Sequence, residues 1–191
     1  MGDIYIYQQL TRWDRVSVVL YRLGIVFSTA DIVAGVIFAL TGRGTTAVFN
    51  ILLVFLYISV GLGVFFIHLY ISKFHRALRG LYLLSLVGFA VLLLAGKGDA
   101  AGAITGRPFG PLLIIPLSGC LGFITAKEAF CFKLKEGYLL AILMPFYLLL
   151  IAAGNRSIVG PIAIAALMVF FTLRKVFMPI HYDIGDKSAY Y

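Results

Sequence analysis

Apolar residues gather into six runs along the chain, at about 20–40, 47–71, 80–96, 109–126, 137–154 and 158–174, each bounded by a short polar gap. Such runs approach the roughly 20 residues that a helix needs to cross a hydrocarbon core about 30 Å thick. The pattern therefore predicts an all-α fold: a six-helix transmembrane bundle forming one domain over residues 1–191. Ahead of the first run, Leu10, Trp13, Val16 and Leu20 share one helical face, with Arg12, Arg15 and Arg22 opposite. That spacing predicts an interfacial amphipathic segment over about 8–22. The order of basic region, apolar region and small-residue cleavage site is missing, so the first run is expected to stay as a helix. Residues 178–191 return to a polar composition and are expected to form a cytosolic tail.

Charge within the gaps orients the bundle. Of the 16 Lys and Arg residues, twelve fall before run one, between runs two and three, between four and five, or after six: Arg12, Arg15, Arg22, Lys73, Arg76, Arg79, Lys127, Lys133, Lys135, Arg174, Lys175 and Lys187. The alternate gaps hold only Arg43, Lys97, Arg107 and Arg156. Basic residues in short loops stay on the cytoplasmic side or its organellar equivalent, so both termini are expected inside. The net charge of +8 reads the same way, as topology determinants facing anionic lipid headgroups rather than as a nucleic-acid surface, because no continuous basic segment exists.

Helix breakers refine the picture. Thr41 to Thr46, with Gly42 and Gly44, form a tight outer turn, and Lys97 to Pro108, with Gly98, Gly102 and Gly106, read as a mobile outer loop. Run four carries Pro111 and Pro116 and is expected to be kinked or partly broken. Runs five and six, separated by Gly154 to Ser157, form a helical hairpin; Asn155-Arg156-Ser157 in that turn lies too close to the membrane for glycosylation. Three plus three helices permit inverted repeats, although Pro111 and Pro116 have no counterpart in run one.

Composition excludes the soluble alternatives: 62% of residues are hydrophobic and 13% charged, and the mean hydropathy is +1.02. Too few charges remain to cover a water-facing surface. Cys120 and Cys131 show neither disulfide-scaffold nor zinc spacing.

Candidate chemistry is sparse. Asp31 is an acid well inside run one, where it either relays protons or binds a cation, or serves as a hydrogen-bonded helix contact. His68 is five helical turns from Asn50, so the two cannot hold one small ligand. It is either a satisfied interface histidine or a weak candidate for axial attachment of haem or pigment. The densest polar stretch follows run four, with Cys120, Lys127, Glu128, Cys131 and Glu136 at its centre, and Glu128 and Cys131 spaced to share a helical face with Cys120 roughly aligned. It can line a cytosolic vestibule, bind lipid headgroups or hold two helices together. A nucleophilic cysteine there requires a neighbouring base or cation, such as Lys127 or His75.

Within the same region, Gly110-Pro and Pro116, followed by Cys120-x-Gly-x-Ile-Thr-x-Lys-Glu-Ala-x-Cys131-Phe-x-Leu-x-Glu136-Gly, resemble a family of uncharacterised integral membrane proteins of cyanobacteria and plant plastids. The resemblance covers about Gly110 to Pro145. It implies a multi-helix protein without an assigned reaction, places interest on Cys120, Lys127, Glu128, Cys131 and Glu136, and suggests a thylakoid or plasma membrane.

Two functions follow as expectations. One is a non-enzymatic accessory, assembly or structural subunit of a larger membrane complex, suited to a small chain with short loops and an aromatic surface. The other is a small transporter or permease using Asp31 and the irregular fourth helix.

Overall fold

The computed structural model describes residues 11–69 and 71–184. Its helices are α1 (Arg12–Thr41), α2 (Thr46–Phe66), α3 (Ser72–Ala95), the short α4 (Ala100–Gly106), α5 (Gly110–Phe132), α6 (Lys135–Ala152) and α7 (Val159–Val176), followed by a 3₁₀ turn at Ile180–Asp183. All except α4 are long and apolar enough to cross a membrane, and no strand occurs among the described residues. The protein is an all-α, multi-pass integral membrane protein.

Helix ends depart from the apolar boundaries where polar residues continue a helix into the interface. A capping box starts α1: Thr11 N donates to Asp14 Oδ2 at 2.8 Å, and Asp14 N donates to Thr11 Oγ1 at 3.2 Å. From there 30 residues run without interruption to a left-handed Gly42, a length of about 45 Å at 1.5 Å per residue. The interfacial segment expected before run one is thus no separate element; residues 12–22 are the first turns of α1, and residues 8–10 lie outside the described region. Run two stops at Phe66 rather than 71, because Ile67 turns extended. Run three begins at Ser72 rather than 80, with Lys73, Arg76 and Arg79 exposed on its first turns.

Run four likewise extends past 126 to Phe132. Pro111 sits in its first turn, where a missing N–H costs nothing, and Pro116 lies inside a helix that continues unbroken. The expected partial break is therefore absent. The outer loop from Lys97 to Pro108 is also more ordered than its glycines suggest: Asp99 caps α4 by accepting from Gly102 N at 2.8 Å. Asn50 on α2 then donates to Asp99 Oδ1 at 3.0 Å and accepts from Ala101 N at 2.9 Å. Arg107 donates to the Ala95 carbonyl at 2.7 Å, and Arg156 to that of Thr105 at 2.6 Å. These bonds tie α4 to α2, to the end of α3 and to the α6–α7 turn.

Pairing follows chain order: α1 packs on α2 and α5 on α6, α7 closes against both α1 and α6, and α3 lies outside α2 and α5. Tyr82 donates to the Tyr57 carbonyl at 2.9 Å, while Tyr57 donates to that of Ser85 at 3.2 Å, clasping α2 to α3. Alternating passage brings the start of α1, the ends of α2, α5 and α7 and the starts of α3 and α6 to one end. By its lysines and arginines, this is the inner end.

Candidate functional site

The inner end holds a knot of charge built from four elements. Glu128 lies one turn before the end of α5 and is fully buried. Its Oε1 accepts from Tyr21 of α1 at 2.6 Å and from Lys127 Nζ at 2.8 Å, and its Oε2 meets the Lys175 ammonium of α7. Lys175, equally buried, also pairs with Asp183 Oδ1 in the 3₁₀ turn. Asp183 Oδ2 accepts from Arg22 Nε at 2.7 Å.

Packing closes the knot. The Lys175 ammonium stands 4.1 Å from the centroid of the Phe132 ring, and the Lys127 ammonium 5.4 Å from that of Tyr21, so aromatic faces supply attraction where water is excluded. Arg22 completes the structure by donating to the carbonyls of Val176, Met178 and Pro179 at 3.3, 2.6 and 3.1 Å. Those carbonyls lie at and just beyond the end of α7, where intrahelical donors run out, and the guanidinium also offsets the negative end of the helix dipole. The tail expected at 178–191 is therefore drawn into the bundle over its described part: Asp183 and Ile184 are buried.

Every carboxylate oxygen in the knot meets a cation. Such an arrangement joins the helices that carry these groups. Three cations against two anions also explain how so polar a group survives burial: neither carboxylate lies without compensation.

The stretch singled out in the sequence is distributed rather than gathered. Lys127 and Glu128 join the knot. Glu136, at the start of α6, instead pairs with Arg174, whose Nη1 reaches both its oxygens at 3.0 Å. Cys120 is buried toward α3, 3.9 Å from the Leu78 carbonyl, whereas Cys131 is exposed near the end of α5, within electrostatic range of Lys127, Glu128, Lys175 and Asp183. Tyr21, Arg22, Lys175 and Asp183 were not singled out, although Lys175 and Asp183 carry a signal: charges flanking the last apolar run at the depth of a buried acid.

Asp31 stands apart. It lies on the α1 face that packs on α2, seven residues after Gly24 and four before Gly35. The side chain is buried, and its Oδ1 has no hydrogen-bond partner. Nearby on α1, Thr29 accepts or donates a 2.6 Å bond with Thr172 of α7. His68 follows α2 in the extended stretch, with its Nε2 3.2 Å from Ser17 Oγ. Burial, and after it the Lys127 ammonium, hold its imidazole below the usual pKa range. No group of three or more His, Cys, Asp or Glu residues that could hold a metal occurs among the described residues.

No curated protein and no solved structure matches this chain. Residues 62–191, from the second half of α2 to the end, match the model of a family described as an uncharacterised integral membrane protein, DUF2301. That span contains α3 to α7 and all of the knot except Tyr21 and Arg22. The chain therefore belongs to the DUF2301 family of integral membrane proteins.

Proposed function

We propose that this protein is a non-enzymatic accessory or assembly subunit of a larger membrane complex. The carrying observation is how its charged interior is used: Glu128, Asp183, Lys127, Lys175 and Arg22 engage one another and thereby join α1, α5, α7 and the tail. A bundle whose buried ion pairs engage one another offers its surroundings shape, apolar surface and rim charge. Ile51, Leu94, Phe130 and Ile142 are among the large side chains that face outward, suited to acyl chains or to neighbouring helices. Exposed Arg12, Arg15, Lys73, Arg76, Lys133 and Lys135 at the inner end suit anionic headgroups. The proposal includes a plasma or thylakoid membrane of a photosynthetic organism as its home.

Affinity isolation after gentle solubilisation of native membranes tests this reading. Recovery of the same membrane protein in fixed stoichiometry across several mild detergents is expected. Recovery of this chain alone in all of them contradicts it.

A second reading, a small permease, is favoured by one observation: the buried Asp31 has an oxygen without a partner inside an apolar span. In proteoliposomes under a proton gradient, this reading expects Asp31→Asn to abolish ion or solute flux while leaving the fold intact. Wild-type flux in that variant removes any role for the charge.

A further inference from the structure

Beside the charge knot, the first turns of α1, the end of α2 and the start of α3 enclose a cavity of about 320 Å³ whose lining includes Trp13, Ser17, Phe65, Phe66, His68 and His75. Its two imidazoles are held in defined hydrogen-bonding states. Ser17 Oγ donates its single proton to the Asp14 carbonyl at 2.9 Å. With that proton on the Asp14 carbonyl, we assign the 3.2 Å contact with His68 Nε2 to the tautomer that carries hydrogen on Nε2 and the lone pair on Nδ1. That Nδ1 is buried and without a partner. His75 is the mirror case: the ring is hydrogen-bonded to the Val64 backbone, and Nε2 is buried and unpartnered.

Two buried lone pairs in one cavity call for a ligand that brings donors. The walls define the rest of it. Trp13, Phe65 and Phe66 offer ring faces, and Trp13 and Phe65 are themselves partly exposed, so the cavity opens at the membrane interface. Arg79 lies over the Phe65 ring at 5.6 Å, and Asp14 in the lining and Asp183 oppose Lys127 at His68, so the surroundings are of mixed charge and suit a neutral head. The volume accommodates a single ring.

We propose that this cavity binds the hydroxylated head of a quinol-class amphiphile, its O–H groups donating to His68 Nδ1 and His75 Nε2, its ring against Trp13 and Phe65, and its tail in the bilayer. The oxidised quinone presents only carbonyl oxygens, which meet lone pair with lone pair. The site therefore discriminates between the reduced and oxidised forms of one molecule. Neutral His68 is the required form, and burial favours it.

Trp13 is the only tryptophan in the chain, so its fluorescence reports directly on the cavity. The full-length protein in phosphatidylcholine nanodiscs is titrated with duroquinol under reducing conditions and, separately, with duroquinone. Saturable quenching by duroquinol is expected, at a concentration about tenfold lower than duroquinone requires, as the loss of one or two hydrogen bonds implies. Two conservative variants isolate the cause. His68→Gln keeps a donor for Ser17 but removes the Nδ1 lone pair, and His75→Asn keeps the bond to the Val64 backbone but removes Nε2. Each should erase the preference for the reduced form while leaving the helical circular dichroism unchanged. Non-saturable quenching, equal or tighter binding of duroquinone, or an unchanged preference in both variants overturns the proposal.

Discussion

Glu128 and Glu136 are two carboxylates eight residues apart, and their surroundings give them different weight. Glu128 is fully buried among Tyr21, Lys127 and Lys175, whereas Glu136 pairs with an Arg174 whose side chain is 43% exposed. Removing one partner of a buried pair leaves an uncompensated charge and costs about 3–5 kcal/mol; a partly exposed pair contributes roughly 0–1 kcal/mol. Glu128→Gln is therefore expected to destabilise the protein by several kcal/mol and Glu136→Gln by less than about 1 kcal/mol, read from thermal or denaturant unfolding in detergent. Equal effects would mean that the knot is no more than a rim ion pair. Lys127 and Glu128 stood out in the sequence because charges rarely sit so close to an apolar run. Tyr21 and Arg22 were not legible, since they reach Glu128 and Asp183, respectively, from more than a hundred residues away. Proximity of that kind is a property of packing, and no local spacing encodes it.

At the scale of elements, close helix contacts rest on small residues. A Cβ added at Gly24 would lie 2.6 Å from Gly63 N and 2.8 Å from the Ser59 carbonyl oxygen, both backbone atoms of α2 that cannot swing aside. Gly24→Ala is thus expected to push α1 from α2 and cost about 1–3 kcal/mol, as overpacking does. Gly80→Ala, where a Cβ meets nothing within 4 Å, is the control and should be neutral or slightly stabilising. A common midpoint for both variants in the same unfolding assay would refute the close approach of α1 and α2. The six spans were legible because apolar length is set by the bilayer. Their ends were less so, since apolarity marks where lipid begins and not where a helix begins: Lys73, Arg76 and Arg79 belong to α3, and Lys127 and Glu128 to α5. The outer loop was misjudged from its glycines because Asp99 and Asn50, which order α4, act across 49 residues.

For the whole molecule, charge organises both ends. The inner end joins the first, fourth and last spanning segments with the tail, and the outer end binds α4 to three neighbours through Asn50, Arg107 and Arg156. Between them the spans expose large apolar side chains, and Asp31 is the buried acid that no described hydrogen bond engages. A molecule constrained at both ends in this way suits a fixed place among other membrane subunits better than a cycle of inward and outward opening, which requires one group of helices to rock against another. Family membership and the multi-pass fold leave that role as the central claim. Its most direct test is native mass spectrometry of the particle released intact from its own membrane. A particle of defined mass containing this 21.0 kDa chain together with at least one different subunit in fixed ratio is expected; a particle made of this chain alone would contradict the assignment.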